Sequence, residues 1–185
     1  LDVERILAET VKPNDSMLFD NIPHLQREDL AVLYADDSSV ARGQIQRTLD
    51  AMGVRSISTV NGRAAWDELR RIADHAERTG RSVREFVQVI LTDVEMPEMD
   101  GYLLTRNIKA DPRFTGIPVL MHSSLSSMSN QQLGHSVGVD EYIPKFEPHR
   151  LSETLARLLL GKAVTPHAGD TAHAVEPAAV GHDLM

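Results

Sequence analysis

Several residue types and segments are missing from this chain, and each absence excludes a class of protein. The sequence has no cysteine among its 185 residues, so it can form neither a disulfide framework nor a thiolate metal site. It has no apolar run long enough to cross a bilayer and no secretory signal at its start, so we expect no direct membrane insertion. The lack of cysteine also fits a reducing compartment, and we expect a cytoplasmic location.

Positive charge is also scarce. The formal net charge is -8, and no stretch concentrates lysine and arginine into a basic patch. Direct binding of nucleic acid needs such a patch, so we expect no nucleic-acid partner. The hydrophobic content of 42% is nevertheless sufficient for a core. The length suits one ordinary domain with additional segments.

Composition divides the chain into four stretches. Residues 1–8 form a short amphipathic piece, and residues 9–28 contain chain breakers such as Pro13 and few periodic apolar positions, which indicates a linker. Residues 29–162 carry regularly alternating apolar patterns and form the predicted domain. Residues 163–185 are rich in alanine, proline, glycine and histidine, and they predict a flexible tail.

Strand and helix patterns alternate five times within the predicted domain. A continuous apolar run at residues 30–35 predicts a strand buried on both faces, and residues 87–92 and 117–122 predict two further strands. Weaker patterns at residues 54–60 and 139–144 predict two more strands, and apolar residues at helical spacing follow each strand. We therefore predict an α/β fold with a doubly wound, five-stranded parallel sheet in the order 2-1-3-4-5. Its helices cover both faces through right-handed crossovers.

Four of the five predicted strands end in a side chain that could bind or react with a ligand. These are Asp36 with Asp37 after the first strand, Asp93 after the third, Ser123 after the fourth and Lys145 after the fifth. The second strand contributes none, as an edge strand should. Ligands of such sheets lie outside the carboxyl ends of the strands, so these side chains mark the predicted site.

The chemistry of this set favours phosphoryl transfer to a carboxylate. Three converging carboxylates repel one another unless a cation is present, and Mg²⁺ suits carboxylate and water ligands. Asp36 and Asp37 would then hold the metal while Asp93 attacks phosphorus, and Lys145 and Ser123 would bind the phosphoryl oxygens. Each residue alone has a simpler explanation, such as a helix cap, a turn or a solvated lysine. Their occurrence together favours the site.

The same residues resemble the receiver domains of two-component signalling. The matching segments are Val32–Ser38, Thr92–Gly101, Ser123–Ser124 and Tyr142–Lys145, and the resemblance covers about residues 29–162. It implies a flavodoxin-like fold and transfer of a phosphoryl group from the phosphohistidine of a histidine kinase onto the aspartate of the second segment, Asp93.

The resemblance also implies roles for three further positions. Ser123 matches the switch serine or threonine, and Tyr142 matches the aromatic residue that moves inward on activation. The backbone carbonyl of Glu95 matches the remaining protein ligand of Mg²⁺, beside Asp36, Asp37 and Asp93. One departure concerns the residue after Lys145, which is proline after a cis bond in most receivers and is Phe146 here. We therefore do not expect the usual geometry in this loop.

A narrower resemblance is to the CheV family of chemotaxis proteins, which join a CheW-like coupling domain to a receiver. It is carried by Lys145–Pro148, by Asp93–Tyr102 and by the long second helix. Residues 1–8 are similar to the closing segment of a CheW-like domain, so we expect them to be the remnant of an upstream domain. The resemblance implies a CheA-like kinase as partner and, through the missing upstream domain, chemoreceptors. It also implies altered receptor–kinase coupling or a sink for phosphoryl groups as the output.

Two other functions are compatible with the same pattern. An aspartate-nucleophile phosphohydrolase needs an acid–base residue two positions after the nucleophile, and Glu95 stands there. A receiver that is never phosphorylated could serve as a docking module, although such a module need not retain all five site residues. The leading hypothesis remains a phosphoacceptor signalling domain and not an enzyme with turnover.

Overall fold

A computed structural model of the chain describes residues 17–124 and 128–161. The predicted alternation of strands and helices is present throughout. The strands are β1 (Arg27–Ala35), β2 (Val54–Thr59), β3 (Val89–Thr92), β4 (Val119–Ser123) and β5 (Glu141–Pro144). The helices are α1 (Ser39–Met52), α2 (Gly62–Thr79), α3 (Gly101–Ala110), α4 (Met128–Ser136) and α5 (Pro148–Leu159), with short 3-10 turns at Val83–Glu85 and Pro112–Phe114.

All five strands pair in parallel, in the order β2-β1-β3-β4-β5. This confirms the predicted fold class and strand order. The register places Ala35 beside Thr92, so the residues that follow, Asp36 and Asp93, leave neighbouring strands at the same height. The pairing of β4 with β5 similarly brings the end of β5 beside Ser123.

The sheet buries apolar side chains on both of its faces. Leu33 and Ile90 pack with α2 and α3 on one face, whereas Val32 and Leu91 pack with α1 and α5 on the other. The continuous apolar run at residues 30–35 follows from this arrangement, because successive residues of a strand point to opposite faces and both faces are covered.

Side-chain caps fix where three of the helices begin. The Ser38 hydroxyl accepts from the amide of Ala41 at 3.3 Å and starts α1 directly after the two aspartates. Asn61 and Asp100 cap α2 and α3 in the same way, accepting from the third residue along at 2.8 and 2.7 Å. These caps satisfy amides that lack a partner within the helix, and they set each helix immediately beyond a strand end.

The segment that precedes β1 corrects the predicted linker. Strand β1 begins at Arg27, inside the range 9–28 that was predicted as linker. Residues 17–26 pack against the domain: the Leu25 amide donates to the Met52 carbonyl at 2.7 Å, and His24 Nδ1 lies 2.7 Å from the Ala51 carbonyl. This segment therefore covers the carboxyl end of α1. Residues 1–8, the first part of the linker and the tail from 163 lie outside the described residues.

No helix among residues 17–124 and 128–161 is long and apolar enough to cross a membrane.

Candidate functional site

Three carboxylates meet at the carboxyl edge of the sheet. Asp36 and Asp37 follow β1, Asp93 follows β3, and one carboxylate oxygen of each lies within 4.8 Å of the others. Asp36 and Asp93 are buried, whereas Asp37 is exposed. The register of β1 and β3 causes this convergence, since it brings the two strand ends side by side.

Asp36 is held on one side and incompletely satisfied on the other. Its Oδ1 accepts from the Ser38 amide at 2.9 Å. Its Oδ2 lies 2.8 Å from Lys145 Nζ, yet this buried oxygen has no hydrogen bond of acceptable angle. The contact is therefore an ion pair without good hydrogen-bond alignment, and Oδ2 retains capacity for another positive ligand.

Asp93 contacts a cation and a backbone amide. Its Oδ2 accepts from Lys145 Nζ at 2.8 Å, and its Oδ1 accepts from the Val94 amide at 2.7 Å. Burial raises the pKa of the Asp93 carboxyl above its usual value, and the hydrogen bond from Lys145 offsets part of that rise. The nearby charge of Asp36 acts in the same direction as burial.

Lys145 links the two buried carboxylates. It follows β5, and its side chain is 10% exposed. Burial alone would lower the pKa of the ammonium, but the contacts with Asp36 and Asp93 outweigh it and raise the pKa. Among the residues that the structure describes no peptide bond is cis, so the Lys145–Phe146 bond is trans. Phe146 adopts the left-handed region at φ 66, which is uncommon for a large side chain.

Ser123 and Tyr142 lie next to each other on β4 and β5. Ser123 is buried at the end of β4, and Tyr142 is partly buried. Burial raises the pKa of the Tyr142 hydroxyl, and a hydrogen bond with Ser123 offsets part of this effect. The charge of Asp93 also acts on Tyr142. The two proposed switch residues are thus in contact with each other and close to the carboxylates.

The turn after β3 depends on a close approach by α3. The Gly101 amide donates to the Val94 carbonyl at 2.9 Å, and a Cβ on Gly101 would lie 2.0 Å from the Asp93 carbonyl oxygen. Only glycine fits at this distance. Gly101 therefore allows the first turn of α3 to pack directly on the backbone of Asp93.

A groove of about 510 Å³ opens beside the carboxylates. Its wall combines acidic, apolar and aromatic residues: Asp37, Val94, Glu95, Met96, Pro97, Asp100 and Tyr102. Glu95 is exposed there, and its backbone lies in the turn that follows Asp93. The site is therefore bordered on the Asp37 side by an open groove.

One residue near the site, Arg42, was not predicted from the sequence. Arg42 Nη1 donates to the backbone carbonyls of Asp36 at 2.8 Å and Asp37 at 3.0 Å. An arginine one turn into the helix after an Asp-Asp pair is the sequence signal for it. His122 precedes Ser123 and is buried, and its Nδ1 has no hydrogen-bond partner.

The donor atoms of the site suit a hard divalent cation. Three carboxylates supply only oxygen ligands, and two of them are buried beside a single lysine. Oδ2 of Asp36 pairs with Lys145 without a well-aligned hydrogen bond, so it can accept a further cation. Oxygen ligands, high negative charge and one exposed carboxylate fit Mg²⁺ with water in its remaining positions.

Comparison with known proteins agrees with the fold. A family model described as "Response regulator receiver domain" matches residues 32–156. Chemotaxis protein CheV3 of Helicobacter pylori is 31% identical over 159 residues, covering 86% of this chain and 50% of that protein. Chemotaxis protein CheY1 of Helicobacter pylori strain J99 is 33% identical over 132 residues, covering 70% of this chain and 97% of that protein. The chain spans about half the length of the CheV relatives it matches.

Solved structures show the same architecture. Chemotaxis protein CheY4 of Vibrio cholerae has a TM-score of 0.57 at 28% identity, covering 70% of this chain and 98% of that chain. The receiver domain of the histidine kinase CKI1 from Arabidopsis thaliana, solved with Mg²⁺ and BeF₃⁻, has a TM-score of 0.64 at 23% identity and covers 74% of this chain and 95% of its own. With the family model spanning most of the sheet, this chain belongs to the response regulator receiver domains.

Proposed function

We propose that this chain is a phosphoryl-accepting signalling domain in which Asp93 receives a phosphoryl group from the phosphohistidine of a CheA-like kinase. The observation that carries the proposal is the placement of Lys145 Nζ, 2.8 Å from both Asp36 Oδ2 and Asp93 Oδ2. A buried lysine between two carboxylates at an open groove supplies a cation where a phosphoryl group needs one.

The transfer step makes one bond and breaks one. A carboxylate oxygen of Asp93 bonds to phosphorus while the bond from phosphorus to the donor imidazole nitrogen breaks. The electron pair returns to that nitrogen, which takes a proton from solvent. Asp36, Asp37, Asp93 and the carbonyl of Glu95 would hold Mg²⁺, which when bound neutralises charge on the phosphoryl oxygens.

The chain's own residues orient and stabilise the product. The Val94 amide holds Asp93 Oδ1, which fixes the direction from which the carboxylate attacks. Lys145 exchanges part of its contact with Asp93 for a phosphoryl oxygen, and the Ser123 hydroxyl supplies a further hydrogen bond. When the Ser123 hydroxyl turns towards the phosphoryl group, it loses its contact with Tyr142. The phosphorylated state thereby favours a different position of Tyr142.

The relatives support a role in chemotaxis. Both CheV3 and CheY1 are named as chemotaxis proteins, and the match to CheV relatives includes about half of their length. The output would be altered coupling of chemoreceptors to the kinase through an upstream CheW-like domain, or a sink for phosphoryl groups. The domain would act in the cytoplasm, and its only chemistry would be its own phosphorylation and slow autodephosphorylation.

Intact mass spectrometry after incubation with acetyl phosphate and Mg²⁺ tests the phosphoacceptor. The parent protein should gain one phosphoryl group in the presence of Mg²⁺ and none in EDTA. The Asp93→Asn variant should gain none. Asp67→Asn, a matched change of charge at an exposed position on α2, should behave like the parent.

Other outcomes separate the competing functions. A folded parent that binds Mg²⁺ but accepts phosphate from neither acetyl phosphate nor phosphorylated kinase would be a docking module. Continuous release of phosphate from small phosphate esters, abolished by Asp93→Asn, would instead indicate a phosphohydrolase that uses Glu95.

A further inference from the structure

The loop between β1 and α1 carries two of the three carboxylates, and it is held by contacts of unequal strength. The Asp36 amide donates to the Thr59 carbonyl at 3.3 Å, a long hydrogen bond. The Asp36 side chain is fixed by the Ser38 amide and by Lys145. Asp37, by contrast, is exposed, and its carboxylate has no hydrogen bond or ion pair to any residue that the structure describes. The position of its oxygens therefore depends on its backbone.

Arg42 binds that backbone directly. Its Nη1 donates to the carbonyl of Asp36 at 2.8 Å and to the carbonyl of Asp37 at 3.0 Å. Arg42 lies one turn inside α1, and its own amide donates to the Ser38 carbonyl at 3.0 Å. The Arg42 side chain thus extends from α1 back to the two carbonyls that immediately precede the helix cap. One guanidinium nitrogen joins both peptide units.

The contact is directed at the loop and not at the carboxylates. Among the described residues these two carbonyls are the only hydrogen-bond partners of the Arg42 side chain, and it forms no ion pair with an acidic residue there. A charged donor bound to a carbonyl is stronger than a neutral pair. Without Arg42, the two carbonyls would have to turn towards water, and Asp37 would move with them.

We infer that Arg42 is a positioning residue that holds Asp36 and Asp37 in the arrangement that binds the divalent cation. This inference rests on the proposed function. Arg42 touches neither the cation nor the phosphoryl group, and it acts through the two peptide units that carry the carboxylates. Groups that orient metal ligands in this way typically change metal affinity by about tenfold or more when removed.

Isothermal calorimetry of the full chain with Mg²⁺ alone measures this role without any phosphoryl transfer. Arg42→Met keeps the aliphatic stem and removes the donors, and we expect its dissociation constant for Mg²⁺ to rise about tenfold. Arg42→Lys keeps a donor and should recover part of the affinity. Arg47→Met is the matched control, because Arg47 lies on the same helix, faces the Phe19 ring at 5.2 Å and is remote from the carboxylates. It should bind Mg²⁺ like the parent.

A second measurement separates positioning from a general loss of fold. The rate of adduct formation from acetyl phosphate is measured against Mg²⁺ concentration. For Arg42→Met the half-saturating Mg²⁺ concentration should rise about tenfold, while the rate at saturating Mg²⁺ stays within about twofold of the parent. Equal Mg²⁺ affinity in Arg42→Met and parent would overturn the inference. If Arg42→Met fails to fold, Arg42→Ala, which also lacks the donors, decides: parental Mg²⁺ affinity together with unchanged half-saturation in that variant overturns the inference.

Failure of the inference is distinguishable from failure of the proposed function. A parent protein that binds no Mg²⁺ and forms no adduct contradicts the proposed function itself. A parent that does both, with Arg42→Met equal to it, contradicts only the role of Arg42.

Discussion

His122 is a buried titratable residue that the proposed chemistry does not use. It lies on β4 opposite Ile143 and is 3% exposed. Burial lowers the pKa of its imidazole to about 4, and the charge of Lys145 acts in the same direction. The side chain is therefore neutral at pH 7 and behaves as part of the interior. Protonating it would place a second positive charge near Lys145 inside the domain.

The lowered pKa of His122 predicts that the folded protein loses stability as the pH falls. In the unfolded chain the imidazole has its ordinary pKa of about 6.5, whereas in the folded protein the pKa is about 4. As the pH falls from 6.5 towards 4, the unfolded chain binds the proton first, so folding becomes less favourable. At pH 5 this residue should cost about 2 kcal/mol relative to pH 7.5.

Urea denaturation of the parent and of His122→Leu at pH 7.5 and pH 5 measures that loss. The variant should lose about 2 kcal/mol less than the parent over this interval. His149→Leu removes an exposed histidine on α5 and should follow the parent. An equal loss in the parent and His122→Leu would show that folding does not shift the pKa of His122.

At the scale of helices and strands, the packing of α3 on the turn after β3 leaves the least room for a side chain among the glycines that the structure describes. The Cβ distance of 2.0 Å at Gly101 involves backbone oxygen, which cannot rotate away as a side chain can. Any side chain there must move α3 or the turn that carries Asp93. Gly43 on α1 is the opposite case, since a Cβ there would meet no atom within 4 Å.

This contrast predicts that replacing glycine by alanine changes the stability of the domain in opposite directions at the two positions. Gly101→Ala should destabilise the domain by at least about 2 kcal/mol, because the new methyl group overlaps the Asp93 carbonyl. Gly43→Ala should stabilise it by about 0.5 to 1 kcal/mol, because alanine loses less backbone entropy within a helix. Denaturant unfolding of both variants checks the pair. A Gly101→Ala protein as stable as the parent would mean that the turn tolerates displacement.

Hydrophobic pattern predicted every strand, but it predicted the first residue of only one, β2. Strand β1 begins at Arg27, ahead of its predicted start at residue 30. Strand β3 starts at Val89, β4 at Val119 and β5 at Glu141, each two residues after the predicted start. In each case the amide of the earlier residue is already used. Val87 donates to Val83, Ile117 to Phe114 and Val139 to Gly134, all at 3.0 to 3.1 Å. The spacing of apolar residues predicts which residues are buried. Where a strand begins depends instead on which carbonyl accepts the hydrogen bond of each backbone amide.

The sequence likewise predicts some residues of the site and not others. Strand ends can be read from a sequence, and parallel topology then brings Asp36, Asp93 and Lys145 to one edge. The direction of a long side chain cannot be read in this way. The contact of Arg42 with the loop was therefore not predicted. The segment at 17–26 was predicted as part of a linker because it contains chain breakers and few periodic apolar positions. It is attached by backbone hydrogen bonds to the end of α1 and by packing of Ile22 and Leu25, which do not depend on a periodic pattern.

At the scale of the whole molecule, the proposed cation site would couple cation binding to folding. Its three carboxylates converge only when β1 and β3 are paired, so the unfolded chain offers no comparable site. A ligand that binds only the folded state stabilises it by an amount that depends on its concentration relative to the dissociation constant. Mg²⁺ should therefore raise the free energy of unfolding of the entire domain.

At a Mg²⁺ concentration 100 times the dissociation constant measured by calorimetry, the gain should be about 2.7 kcal/mol. Asp37→Asn removes one ligand and should gain much less at the same concentration. Asp67→Asn carries the same change of charge on the outer face of α2 and should gain as much as the parent. Urea denaturation with and without Mg²⁺, using EDTA for removal, gives the three values. Equal gains in all three proteins would place the stabilising ion elsewhere.

The contact of residues 17–26 with the carboxyl end of α1 has a consequence for how this domain can be combined with others. Helices of this fold run opposite to the strands, so that contact lies at the amino edge of the sheet. The end of α5 lies there too, where Gly161 borders the same cavity as Gln88 and Pro118. The described chain thus enters and leaves at one pole, while the carboxylates occupy the other, roughly 15 Å away along β3 or β4. A partner that contacts residues 17–26 or the end of α5 and a molecule that binds at the carboxylates would therefore occupy opposite edges of the sheet and could bind at the same time.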